Sequence, residues 1–280
     1  MGAMKPDQHY AKKFNILLKS IEVGQYVGLT RFDDTILAYT VDANIGIGNR
    51  VIFQFKLPYQ ITRGTMANTG GISDVSLSLT YGIIQKENLK LNLTVGAKLP
   101  TGNSELTTDG RPLPMYYQPG LGTYDIVVGT SIVSKKWLLA FGYQKALNSI
   151  DNKFIWGDWQ DHPLEKTALT YPIAQDLQRG TDVMLRLERN FRFTNFNFNL
   201  GLLPIYRLNE DVVKSPQTGE RVQVSGSDGL ALSFLYGFGY RLSVKSGIKV
   251  MFGSRVIKRK KNPDGLSREF VNTIGYEYRF

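Results

Sequence analysis

Side chains alternate between the two faces of a β-strand, and in this chain that alternation recurs as a unit. Leu89, Leu91, Leu93, Val95, Ala97 and Leu99 fall on one face of such a stretch. Lys90, Asn92, Thr94, Gly96 and Lys98 fall on the other. Comparable stretches begin near residues 13, 37, 51, 75, 124, 137, 183, 196, 230, 248 and 270, giving twelve expected strands, of which 13–27 is the least regular. The connections alternate as well. After even-numbered strands they are short, at 48–50, 85–88, 134–136, 192–195 and 243–247. After odd-numbered strands they are longer, reaching 100–123, 145–181 and 209–229. A soluble sandwich or jelly roll has no reason to obey such a rule. A closed antiparallel barrel crossing a membrane does, because tight turns gather at one end and loops at the other.

The last strand carries the same message. Phe270, Ile274, Tyr276, Tyr278 and Phe280 share one face, while Glu269, Thr273, Gly275, Glu277 and Arg279 share the other. A terminal Phe with aromatic residues at alternate positions before it resembles the C-terminal signature of bacterial outer-membrane proteins. The expected fold is therefore all-β: a transmembrane barrel of about twelve strands, with short periplasmic turns and long extracellular loops. The expected location is the outer membrane of a Gram-negative bacterium.

Composition sets the outer limits. Within 280 residues there is no continuous apolar run near the ~18 a spanning helix requires, and mean hydropathy is −0.20. This excludes helical membrane proteins and leaves barrels open. With no cysteine, thiolate metal sites and disulfides are ruled out. The net charge of +10 raises the question of nucleic acid, but the basic residues are spread through turns and alternate strand positions, so no nucleic acid is expected. The one dense run, Arg255, Lys258, Arg259, Lys260 and Lys261, reads as a solvated loop or as a contact for lipopolysaccharide phosphates. Met1–Met4 reads as a cloning remnant on a mature sequence, so a missing secretory signal carries no weight. Residues 1–12 are expected to form a flexible N-terminus and 13–280 a single barrel.

In such a barrel the apolar stripe faces lipid and the polar stripe lines the lumen. The lumenal set has Lys56, Lys98, Arg186, Arg207, Arg241 and Lys249 opposing Asp42, Asp125, Asp182 and Glu188. Two readings compete. Opposite charges in a narrow space pair and stiffen the wall, or a subset filters solutes by charge. The longest loop carries Phe154, Trp156, Trp159 and Tyr171. These rings either pack the loop onto itself and the interface or form an apolar constriction for a ligand.

An enzyme is not expected. The only histidines are His9 and His162, no G-x-S-x-G elbow is present, and neither histidine neighbours a strand serine. The loop group Asp158, Asp161, His162 and Glu165 reads as solvated rather than metal-binding. No catalytic residue, metal or cofactor is assigned.

Three glycine-rich stretches follow one another at strand spacing. They pair Gly71 with Asp74; then Gly96, Lys98, Pro100, Thr101 and Gly102; then Gly120, Gly122 and Asp125. Together with Tyr206-Arg207-Leu208-Asn209, they resemble the outer-membrane family known as MetA-pathway phenol-degradation proteins or "transporter". That resemblance implies a monomeric twelve-stranded barrel taking up small, often hydrophobic molecules. The expected function is thus a channel for small hydrophobic or aromatic solutes through a narrow charged lumen. The alternative is a sealed barrel that binds an outer-membrane partner protein through its loops. The expected contacts are membrane lipid, lipopolysaccharide and a small-molecule solute.

Overall fold

A computed structural model describes residues 16–280. Its strands are β1 Ile16–Leu29, β2 Thr35–Ile47, β3 Val51–Arg63, β4 Asn68–Ile72, β5 Val75–Lys86 and β6 Leu89–Leu99. A small loop hairpin follows, β7 Thr107–Thr108 with β8 Arg111–Pro112. Then come β9 Asp125–Ser134, β10 Trp137–Ala146, β11 Asp182–Arg192 and β12 Phe196–Arg207. A second loop hairpin joins β13 Val212–Lys214 to β14 Arg221–Gln223, and β15 Gly229–Arg241, β16 Ser246–Ile257 and β17 Phe270–Arg279 complete the chain.

The barrel order is β1-β2-β3-β5-β6-β9-β10-β11-β12-β15-β16-β17, every neighbour antiparallel. The first strand pairs with the last, from Ser20 opposite Arg279 to Leu29 opposite Phe270, which closes the cylinder into twelve strands. Closure leaves no row of unpaired backbone groups facing hydrocarbon. β4 prolongs the fourth barrel strand by pairing with the end of β3, and a kink at Ser73–Asp74 separates it from β5. The expected alternation of short turns and long loops is present throughout. The domain boundary at residue 12 lies outside the described residues.

The wall is turned inside out relative to a soluble protein. Tyr39, Leu93, Phe141, Leu185, Ile274 and Tyr276 are exposed on its outer surface, as a lipid-facing stripe requires. Most of the buried apolar residues lie elsewhere, in the loops at one end, with Ile36, Val75, Ala231 and Leu235 the exceptions on barrel strands. Met66, Leu113, Tyr116, Tyr117, Phe154, Trp159, Ala168 and Tyr171 form one cluster. Met115, Leu121, Ile150, Ala174, Leu177 and Val213 form a second. The barrel therefore carries a folded cap built from its own extracellular loops, with a four-residue helix α1, Glu165–Ala168, inside the longest one.

Candidate functional site: a capped, charged lumen

The cap is held to the barrel at three levels. At the top, Asp34 sits fully buried between β1 and β2. Its carboxylate accepts hydrogen bonds from Tyr117 Oη at 2.5 Å, from Tyr171 Oη at 2.9 Å and from Thr30 Oγ1 at 3.2 Å. Burial raises the Asp34 pKa, and the tyrosine hydroxyls hold part of that rise back. Burial likewise raises all three cap tyrosines, Tyr116 to about 12, and Tyr117 and Tyr171 further beside the Asp34 carboxylate. The rings pack edge-on, with Phe32 4.4 Å from Tyr171 and 5.0 Å from Tyr116, centroid to centroid.

Beneath lies a buried ionic network. Arg207 spreads its fork over three carboxylates: Asp182 at 2.8 Å, Asp211 at 2.8 Å and Asp264 at 2.9 Å. Arg179 meets Asp125 at 2.9 Å, and Asp182 and Asp264 at 3.5 Å. Arg259 reaches Asp182 at 3.7 Å. Three guanidinium groups face four carboxylates, so one carboxylate is in excess. Burial and the neighbouring Asp264 push Asp211 up to about 6. Burial also works against Asp264, but Arg207, Arg179 and Arg259 outweigh it and hold that carboxyl well below the usual range. Fully desolvated charges persist only when paired and hydrogen-bonded in this way. The network ties the loops at 208–228 and 258–269 to the barrel wall.

The third level is the base of the loop at 100–124, where the glycine motifs meet. Asp74, at the kink, accepts from the backbone N–H of Leu121 at 2.7 Å and of Gly102 at 3.2 Å, and lies 3.4 Å from Lys98. A Cβ on Gly102 would stand 2.7 Å from the Gly120 Cα, so the two backbones touch only because neither carries a side chain. Thr101 Oγ1 donates to the Ser73 carbonyl at 2.9 Å and accepts from Val75 N–H at 2.9 Å. These motif residues form an architectural joint.

The rest of the lumen opens toward the short turns. A cavity of about 770 Å³ is lined by Arg186, Arg192, Asn197, Arg241, Lys249 and Arg279, among others, and by the turn at 193–195. It is a vestibule on the periplasmic side of the cap.

Most of the expected lumenal charges are paired. Asp42 meets Lys56 at 3.3 Å, and Lys249 lies 3.1 Å from both Glu22 and Glu277. Arg186 pairs with Glu188, while Asp125, Asp182 and Arg207 belong to the network. Arg241 alone of the set has no ion pair among the described residues; it lines the vestibule. Of the four loop aromatics, Phe154, Trp159 and Tyr171 are buried in the cap core. Trp156 is 41% exposed, and its indole N–H donates to the Tyr171 carbonyl at 2.9 Å. His162 packs edge-on against Trp159 at 5.0 Å and accepts from Leu164 N–H. His9 lies outside the described residues. The basic run is divided: Lys258 pairs with Glu269 at 3.5 Å in solvent, while Arg259 turns into the network.

Sequence reading missed Asp34, Tyr116, Tyr117, Arg179, Asp211 and Asp264. All lie in loops, where no period marks an inward side chain. The one available hint was the turn Pro263-Asp264-Gly265, whose aspartate reads as a turn former but is fully buried.

No family model and no curated protein matches this chain. Among solved structures, an outer membrane channel from Pseudomonas putida F1 superposes with a TM-score of 0.63 at 13% identity, over 99% of this chain and all of that one. The chain has the fold of an outer-membrane β-barrel. The NanC porin superposes with a TM-score of 0.51 at 10% identity, over 94% of this chain and all of that one.

Proposed function

We propose that this barrel is an outer-membrane channel for small solutes, closed toward the outside by its loop cap and open toward the periplasm through the vestibule. The observation carrying this reading is the 770 Å³ cavity inside the barrel, which runs from the periplasmic turn at 193–195 inward to Arg186, Glu188 and Met251. A barrel kept only as a scaffold has no need of such a space. Selection would come from movement of the cap and from the field of the lumenal charges Lys56, Lys98, Arg186, Arg207, Arg241 and Lys249 set against Asp42, Asp125, Asp182 and Glu188. The cationic residues of the lining, Arg186, Arg192, Arg241, Lys249 and Arg279, support a charged solute better than the hydrophobic or aromatic one expected from the motif resemblance. Lys260 and Lys261, which are exposed, would meet lipopolysaccharide phosphates at the outer rim.

The test is single-channel conductance of the refolded protein in a planar bilayer, with the reversal potential measured under a salt gradient. Alongside it goes the Asp34→Ala variant, which loosens the cap. A small gated conductance that opens more often in the variant supports the channel. Silence of both overturns it and leaves the sealed scaffold, a reading favoured by the ionic network that fills the lumen beneath the cap.

A further inference from the structure

The two sides of the barrel interior are unequal. The side formed by β1 to β9 contributes only Val133 to the cavity lining, and its amides and hydroxyls bond one another. Asn44 donates to Ser20 at 3.1 Å, Gln85 to Asn92 at 2.8 Å and Asn92 to Ser131 at 3.2 Å, while the Thr80 and Thr94 hydroxyls are hydrogen-bonded at 2.8 Å. The facing wall, β11, β12 and β15, presents Asn190, Asn197 and Asn199 to the cavity. Among the described residues, their carboxamides make no hydrogen bond. Two glycines build the shelf on which they lie. A Cβ on Gly239 would fall 2.1 Å from the Asn197 amide oxygen, and one on Gly237 would fall 2.3 Å from that of Asn199. Each carboxamide therefore lies flat against β15, with its donors and acceptor free.

The same wall holds two unpaired cations. Arg186, Lys249 and Arg279 each pair with a glutamate. Arg192 and Arg241 have no ion pair among the described residues, although both line the cavity. Arg192 is registered with Asn197, and Asn197 with Gly239, two residues before Arg241. The two guanidinium groups thus start two strands apart, about 10 Å laterally. Side chains of that length can converge on one anion between them.

We infer that this wall is a binding subsite for a small carboxylate carrying neighbouring hydroxyl groups, a solute of the hydroxy-acid class. A guanidinium fork matches a carboxylate in two parallel hydrogen bonds. A carboxamide offers two donors and an acceptor, which is what a row of hydroxyl groups uses. On the opposite side the hydroxyls and carboxamides are already paired, and Lys90, which has no ion pair among the described residues, offers an ammonium rather than a fork. The subsite names the solute class for the proposed channel and rests on that reading for its physiological meaning.

The test is calorimetric titration of the full chain in detergent with gluconate, using acetate and glucose as comparators. Gluconate is expected to bind at least tenfold more tightly than either. Arg192→Gln with Arg241→Gln should weaken it at least tenfold. Asn197→Ala with Asn199→Ala should bring gluconate toward acetate while leaving acetate unchanged. Lys90→Gln, on the opposite wall, should change nothing beyond twofold. Folding of each variant is checked by heat-modifiable migration, and Arg241→Lys, which keeps the charge and loses the fork, should fall between wild type and the double variant. Absence of gluconate binding, equal affinity for acetate, or an equal loss in Lys90→Gln overturns the subsite. A barrel that conducts without binding gluconate loses the subsite alone. One that binds gluconate and never conducts loses the channel and keeps the subsite.

Discussion

Arg207 and Asp264 meet at 2.9 Å in the buried network, although they lie 57 positions apart and belong to a barrel strand and a loop respectively. Asp264 also lies 3.5 Å from Arg179, so one loop carboxylate is shared by cations from two other segments. Asp264→Asn takes from Arg207 and Arg179 the carboxylate they share, but three carboxylates still face the three guanidinium groups. The expected cost is therefore about 1–3 kcal/mol, that of lost charge-assisted hydrogen bonds rather than of an uncompensated charge. Arg207→Lys should be nearly as damaging, because an ammonium cannot span three carboxylates. Urea unfolding in detergent measures both.

The excess carboxylate gives the cap a pH dependence. Asp211 is raised to about 6 in the folded protein, against an unfolded value near 3.9. A raised carboxyl contributes stability that is fully present below the unfolded value and is lost as pH rises through the folded one. The protein should therefore be more stable at pH 5 than at pH 7.5, by about 1–1.5 kcal/mol from this group. In Asp211→Asn that slope should flatten. Unfolding midpoints across the range decide it, and an unchanged slope in the variant removes Asp211 as its source.

The tyrosine latch predicts a stability effect joined to a gating effect. Tyr171→Phe removes one donor from the buried Asp34 carboxylate, at an expected ~1–3 kcal/mol. Tyr117→Phe removes a second, and with it the acceptor for Met66 N–H at 3.2 Å. Both should raise the open probability of the channel in a bilayer without altering its ion preference, since neither residue lies in the vestibule.

Alkaline titration offers an independent view of the same tyrosines. Followed by ultraviolet absorbance, Tyr116 should ionise at about pH 12, and Tyr117 and Tyr171 later still. Because these folded values are raised, the stability they contribute is intact below pH ~10 and declines above it. A single transition near pH 10 for every tyrosine would mean that the cap stands open in solution.

Gly102→Ala should disrupt the joint at the loop base. Its Cβ would meet the Gly120 backbone, and backbone cannot swing aside as a flexible side chain can. A loss of about 1–3 kcal/mol is expected from overpacking, with the loop at 100–124 becoming open to protease. Gly157→Ala, whose added Cβ would make only an ordinary 3.9 Å contact with Ile155 and whose φ is not positive, is the control and should leave the loop at 100–124 resistant.

The barrel was legible in the sequence because lipid and lumen impose a period of two on every strand, and turn lengths record which end is which. The cap was not. Tyr116 and Tyr117 sit in a 3-10 turn at Met115–Tyr117, flanked by residues that are all buried, and nothing in Pro-Met-Tyr-Tyr-Gln tells an inward loop from an outward one. The charged lumenal residues are legible by parity, but parity names no partner for any of them. Lys98 takes Asp74, a residue at the kink next to its own strand's neighbour. Arg192 was passed over because it closes a strand beside a turn, where an arginine is ordinarily just solvated.

The seam between β1 and β17 makes the outer closure depend on the whole cylinder. Asp34 lies in the loop that leaves β1, and Tyr171, 137 positions on, lies in the loop between β10 and β11. β1 is held by β2 on one side and by β17 on the other, so parting the seam would unseat Asp34 and with it Tyr117 and Tyr171. The cap and the cylinder are thus one cooperative unit rather than a lid laid on a finished tube.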